Sequence, residues 1–157
     1  NANIIAGGAG NDTISAAAGN DSLDAGAGND SLDGGTGSDT IDGGAGTDTV
    51  TYANSAAGVT VDLTLATAQG GAGDASGDVL SNIENLVGSG LADTLSGDAN
   101  ANTITAGAGD DTVSAAAGAD SVDAGAGNGG SSTLSVAMKQ FVAKAPAKAF
   151  KKDLLSD

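Results

Sequence analysis

GGAGNDTIS, AAAGNDSLD, AGAGNDSLD, GGTGSDTID and GGAGTDTVT, residues 7–51, follow one another without a gap and are five copies of one nine-residue phrase. The eighth position is always aliphatic: Ile14, Leu23, Leu32, Ile41 and Val50. The sixth is always acidic: Asp12, Asp21, Asp30, Asp39 and Asp48. A fixed short period is the signature of a solenoid, in which each unit buries its apolar face only against its neighbours. One acid per loop means that the acids stack as well, so the fold needs counter-charge.

Each unit reads as a six-residue glycine-rich turn and a three-residue strand. The middle strand residue faces inward and its neighbours outward, because side chains alternate along a strand. Two units close a turn of eighteen residues. Units eighteen apart then stack on one side, with strands about 4.8 Å apart. This predicts one ladder of Asp12, Asp30 and Asp48 and an opposite ladder of Asp21 and Asp39.

Outward from this block the chain falls into four segments. Residues 1–51 form the first block, including a partial unit with Ile5. Residues 52–87 lose the motif; Val59, Val61, Leu63 and Leu65 alternate as in a strand, Gly70 to Asp78 reads as a loop, and Leu80, Ile83 and Leu86 follow. This irregular β segment either continues the roll as two distorted turns or interrupts it as an insertion. Residues 88–128 resume the period with Leu95, Ile104, Val113 and Val122. After Gly129, where an acid is due, comes a Gly/Ser linker and a basic tail, residues 129–157. Met138, Phe141, Val142 and Ala145 share one helical face there, so the tail reads as a helical cap, a disordered tail or a grafted segment. Asn1 stands at the fourth position of a unit, which suggests a chain cut from something longer.

Composition narrows the function classes. The 157 residues carry a net charge of −15, with no Cys or His. That removes disulfides, thiol chemistry and imidazole bases, and with them zinc sites and the common catalytic sets. All five lysines lie in the last nineteen residues, and residues 1–138 hold eighteen acids without one basic side chain. Such a surface repels nucleic acid and anionic membrane. No stretch is apolar enough for a membrane span. Catalysis within these residues is not expected.

The spacing suits calcium. Ca²⁺ takes six to eight oxygens at about 2.3–2.6 Å, so two oxygens on opposite sides of one ion are about 4.8 Å apart, the strand spacing. Magnesium, smaller and strictly octahedral, fits less well, and an all-oxygen set disfavours transition metals. Carboxylates come from Asp12, Asp21, Asp30, Asp39, Asp48, Asp93, Asp111 and Asp120, with Asn102 as a neutral substitute. Turn carbonyls complete the shells around Gly8, Gly10, Gly19, Gly26, Gly28, Gly35, Gly37, Gly44, Gly46, Gly107, Gly109 and Gly118. Glycine is required there because the turn visits positive φ. Ala16–Ala17 and Ala115–Ala116 replace the glycine pair, at a cost on the order of 1 kcal/mol for an alanine at positive φ. The strongest sites are expected between the loops ending at Asp12 and Asp30, Asp30 and Asp48, and Asp21 and Asp39. Asp93 with Asp111 follows, and Asn102 with Asp120 is weakest.

GGAGNDTIS matches G-G-x-G-x-D-x-U-x, and the chain resembles the RTX (repeats-in-toxin) family over about 90 residues. GVTVDL and IENLVGS also look like stretches that interrupt many RTX regions. The resemblance implies an all-β, right-handed parallel β-roll binding several Ca²⁺ ions, type I secretion, and folding only in calcium-rich surroundings outside the cell or at its surface. It fits a structural module whose open ends stack on other copies. The alternative, ranked second, is the C-terminal part of a secreted protease, lipase or epimerase whose catalysis lies elsewhere. Asp24, Asp33, Asp42 and Asp123, at the ninth position, read as solvated edge charges, and Asp74 and Asp78 as a solvated loop. A threonine-based ice-binding face is disfavoured, since only Thr36 stands at the loop position that Ala9, Ala18, Ala27 and Ala45 fill in the other units of the first block.

Overall fold

A computed structural model describes residues 1–126, together with the backbone of 133–136 and 142–143. Every regular element among the described residues is a β-strand. The triplets Thr/Ser–aliphatic–Ser/Thr/Asp become strands because their β-branched and hydroxyl residues suit extended backbone, while the flanking glycines turn the chain. Sequence neighbours lie on opposite faces, and pairing joins units eighteen apart, always in parallel: Ile14 with Leu32, Ile5 with Leu23.

One face is a continuous seven-stranded sheet. It runs through β2 (Thr13–Ser15), β4 (Ser31–Asp33), β6 (Thr49–Thr51), β9 (Asn85–Val87), β11 (Thr103–Thr105), β13 (Ser121–Asp123) and β15 (Val142–Ala143). With one strand per turn, the roll has about seven turns. The other face is split. Its first half is β1 (Ile4–Ala9), β3 (Ser22–Ala27), β5 (Thr40–Asp42) and β8 (Val79–Ser81). Its second half is β7 (Thr60–Asp62), β10 (Thr94–Ser96), β12 (Thr112–Ala116) and β14 (Thr133–Val136).

The split comes from residues 52–87, which contribute three strands. On the continuous face Val50 pairs directly with Leu86, so 36 residues advance that sheet by one step. Meanwhile the chain makes β7, which belongs to the second half-sheet, and only afterwards β8, which completes the first. Gln69 bridges the gap. Its side chain accepts from the Asp62 amide at 2.8 Å and donates to the Asp62 carbonyl at 3.1 Å. Its backbone NH donates to the Asp78 carbonyl at 2.7 Å, and its carbonyl accepts from Gly77 at 3.0 Å. A single side-chain amide thus serves β7 where a neighbouring strand would. The alternating strand is shorter than its sequence suggests: Val59 and Val61 are buried, Leu63 is half-buried and Leu65 is exposed.

The interior is a stack of single aliphatics. Leu23, Leu32, Ile41, Val50, Leu86, Leu95, Ile104 and Val113 are all at most 1% exposed. Burying each is worth roughly 1.5–3 kcal/mol, and the rest of the interior is shared between small residues such as Ala25 and Ala106 and buried carboxylates such as Asp39 and Asp48. Past Gly129 the ladders continue, with Thr112 opposite Thr133 and Ser121 opposite Val142, so the roll extends beyond the end of the nonapeptide pattern. Apart from those strands, the tail, including its helical reading, lies outside the described residues.

Candidate metal centre

The turn geometry repeats as closely as the sequence. Except in the two units at 88–105, the second position takes positive φ, from Gly8 (101°) and Gly26 (96°) to Gly107 (98°), and so does the fourth, from Gly10 (113°) to Gly118 (155°). At the fourth position a side chain is also barred by contact: a Cβ on Gly28 would strike the Gly10 carbonyl one turn below. Ala17 (φ 76°) and Ala116 (φ 60°) adopt the second-position conformation all the same, so the strain expected there falls on these residues rather than on Ala16 and Ala115.

The sixth-position acids form the two ladders expected, with a direction the sequence does not show. Each carboxylate reaches back one turn and accepts from the backbone NH of the acid eighteen residues earlier. Asp30 Oδ1 accepts from Asp12 at 2.7 Å, Asp48 from Asp30 at 2.8 Å, and Asp39 from Asp21 at 2.8 Å. In the second block Asp111 accepts from Asp93 at 2.9 Å and Asp120 from Asn102 at 3.0 Å. A fifth-position ladder runs the other way: Asn11 accepts from the Asn29 NH at 2.9 Å and Asn29 from Thr47 at 3.1 Å.

The second carboxylate oxygen decides the chemistry. In Asp12, Asp21, Asp30, Asp39, Asp48 and Asp111 Oδ2 is buried and has no hydrogen-bond partner among the described residues. A buried, donor-less carboxylate oxygen is costly, and a whole row of them is more so. Burial holds the Asp39 carboxyl above its ordinary pKa, with the charges of Asp21, Asp33 and Asp74 adding to the effect. Asp111 is raised in the same way, by burial and then by Asp93 and Asp110. An oxygen with no donor among the described residues, in a row without a lysine or arginine, is fitted to a metal cation. Among the described residues no three acids converge as an all-carboxylate cage. Carbonyls of the glycine-rich turns therefore have to complete any shell, which is oxygen chemistry suited to Ca²⁺.

Other expected ligands are already satisfied by protein. Asp93 accepts from the Ser89 NH and hydroxyl and from the Val59 NH, each at 2.7 Å. Ser89 occupies the second position, where the other loops carry glycine or alanine, apart from Asp98 in the next unit. Asn102 accepts from the Asp98 NH at 2.9 Å and donates to the Glu84 carbonyl at 2.9 Å, so its loop closes by hydrogen bonds alone.

Two acids outside the period continue the ladders across the irregular segment. Asp78 accepts from the Asp39 NH at 2.8 Å and from the Tyr52 hydroxyl at 3.0 Å; Glu84 accepts from the Asp48 NH at 2.8 Å. Asp78 is fully buried, which corrects its reading as a solvated loop residue. Burial raises its pKa to about 6, with Asp39 and Asp74 adding to the rise. Burial and the Asp78 charge likewise push the Tyr52 hydroxyl up. The signal was present: in GDVLS and IENLV, as in NDTIS, an acid stands two residues before the aliphatic. The ninth-position acids are turn formers. Asp33, Asp42 and Asp123 accept from the NH two residues on, at 3.0, 3.1 and 3.0 Å.

A family model for the RTX calcium-binding nonapeptide repeat matches in four copies, at residues 1–32, 24–54, 87–122 and 96–130. Together these cover well over half of the chain. The chain belongs to the RTX calcium-binding repeat family. No curated protein matches it closely enough to count as a relative. RTX repeats bind Ca²⁺, several ions to an array of this length, and they are structural modules typical of secreted bacterial proteins. The two unmatched stretches, residues 55–86 and 131–157, are the irregular segment and the tail.

Proposed function

We propose that this RTX array is a non-catalytic, calcium-conditional structural module of a secreted or cell-surface protein. It remains open where calcium is scarce and closes into the roll after export. The six buried carboxylate oxygens without a donor carry this reading. Asp12, Asp30 and Asp48 would hold ions on one edge, Asp21 and Asp39 on the other, and Asp111 in the second block, with turn carbonyls completing each shell. Asp93, Asn102 and Asp120 contribute less, since the first two are already hydrogen-bonded through their side chains. An ion at ten times its Kd adds about 1.4 kcal/mol. Five such ions add roughly 7 kcal/mol, comparable to the whole stability of a domain. Far-UV circular dichroism is expected to show a disordered chain in chelator and a β-rich one in millimolar calcium, with magnesium a poor substitute. A spectrum unchanged by calcium removal refutes the proposal.

End-to-end stacking of copies is the second part of the proposal. β1 pairs only with β3, β2 pairs only with β4, and Ile4 is 91% exposed beside that open edge. Light scattering is expected to show association that grows with calcium; monomers at every calcium level count against it.

A further inference from the structure

We propose that the Asp33–Gly34 and Asp42–Gly43 bonds are latent isomerisation sites, which the closed roll protects and the open chain exposes. In an Asp–Gly pair the glycine amide nitrogen attacks the aspartate Cγ. The N–C bond forms as the carboxyl hydroxyl and the amide proton leave as water, giving a five-membered succinimide. Water then adds at the former peptide carbonyl, the bond from that carbon to the glycine nitrogen breaks, and isoaspartate is left with one extra methylene in the main chain. Only water is exchanged. Glycine favours the attack because no Cβ hinders its nitrogen. The other ninth-position acids, Asp24 and Asp123, precede Ala25 and Ala124.

The roll holds both partners of the reaction at Asp42–Gly43 and the electrophile at Asp33–Gly34. At the second site the nucleophile, the Gly43 nitrogen, donates to the Ser81 carbonyl at 3.0 Å. The electrophile is held as well: Asp42 Oδ1 accepts from Gly44 at 3.1 Å and from Asn82 Nδ2 at 2.7 Å. At the first site Asp33 Oδ1 accepts from Gly35 at 3.0 Å and Oδ2 from Asn54 Nδ2 at 3.1 Å. Gly34 and Gly43 are buried. None of these restraints exists in the open chain.

The product does not fit the fold. Asp42 lies in register between Asp24 and Ser81, so an added methylene shifts the strand that joins β8 to the rest of its half-sheet. The space beside Gly43 is already filled: a Cβ there would strike the Asn82 carbonyl and the Asp48 side chain. A chain kept open therefore loses the ability to close. This inference rests on calcium-conditional folding.

The test incubates the full chain for weeks at 37 °C in calcium, in chelator, and in chelator with urea. Isoaspartate is located by fragmentation mass spectrometry and by resistance to Asp-N protease, with circular dichroism followed in parallel. Isoaspartate is expected at 33 and 42 in both open conditions, at least about tenfold slower in calcium, the equivalent of ~1.4 kcal/mol of closure. Asp24 and Asp123 should stay unchanged. Aged wild-type chain should then recover only part of its β signal on adding calcium. Asp33→Ser/Asp42→Ser should recover it, because Ser15, Ser81, Ser96 and Ser114 already occupy that position. Equal rates in calcium and urea, or equal loss of refolding in the double variant, overturn the inference. A β-rich spectrum in chelator instead defeats calcium-conditional folding, and the urea arm still decides the chemistry.

Discussion

Asp30→Asn separates an ion ligand from a turn former, because its two oxygens play different parts. Oδ1 accepts from the Asp12 NH at 2.7 Å, and asparagine keeps that acceptor. Oδ2 is buried without a donor, and asparagine replaces it with a neutral amide nitrogen. The ladder above is untouched, since the Asp30 NH still donates to Asp48 at 2.8 Å. In calcium the substitution weakens the ions on both sides of the Asp30 loop. At calcium ten times the Kd, each contributes about 1.4 kcal/mol, so the loss approaches ~3 kcal/mol. Without calcium the sign reverses. A buried orphan oxygen costs on the order of 1–3 kcal/mol, and the amide relieves the charge. The assay is urea unfolding followed by circular dichroism, in saturating calcium and in chelator with sucrose to favour the closed state. The expected result is destabilisation in calcium, stabilisation or no change in chelator, and a calcium midpoint raised several-fold. Equal destabilisation in both conditions would mean that Asp30 shapes the turn and holds no ion.

The pH dependence without calcium follows from the raised carboxyl of Asp78. Its folded pKa of about 6 lies above the ordinary 3.8, so the unfolded chain binds fewer protons between these values. The contribution of Asp78 to stability is fully present below about pH 4 and is lost as pH rises through 6, by at most roughly 3 kcal/mol. In chelator the β signal should therefore grow from pH 7 to pH 5, and Asp78→Asn should flatten that response. Ala17→Gly should stabilise the calcium-bound roll by at most about 1 kcal/mol, because Ala17 sits at φ 76°. Thermal unfolding should show Gly37→Ala, by contrast, as strongly destabilising, its Cβ meeting the Gly19 carbonyl. Gln69→Ala leaves the Asp62 amide and carbonyl without their partners and should cost about 1–3 kcal/mol. Hydrogen exchange should accelerate first in β7.

The regular blocks were readable because one period governs everything in them. The eighteen-residue register, the inward aliphatics and the two acid ladders all follow from nine-residue spacing. The seam was not readable, because it obeys contacts rather than period. Val50 to Leu86 is four periods, yet the continuous sheet advances only one step there. Gln69 gives no local hint that it will stand in for a strand. Asp78 and Glu84 could have been found from the acid-to-aliphatic spacing of two, which survives where the period fails. The rank of Asp93 also depended on something the motif does not encode. Besides its backbone NH, Ser89 supplies a hydroxyl donor that a glycine lacks, and with both the carboxylate needs no ion.

The unequal faces of the roll give it a preferred direction of bending. Along one side, backbone hydrogen bonds run unbroken through seven strands. On the other side the load passes from one half-sheet to the next through the Gln69 amide and its few neighbours. The molecule is therefore a beam with a spine and a notch. Flexing that opens the notched side works against a handful of bonds, whereas flexing that opens the spine works against a whole ladder. Pulled end to end, such a chain should yield in two steps, dividing near residues 63–78 before either block unravels.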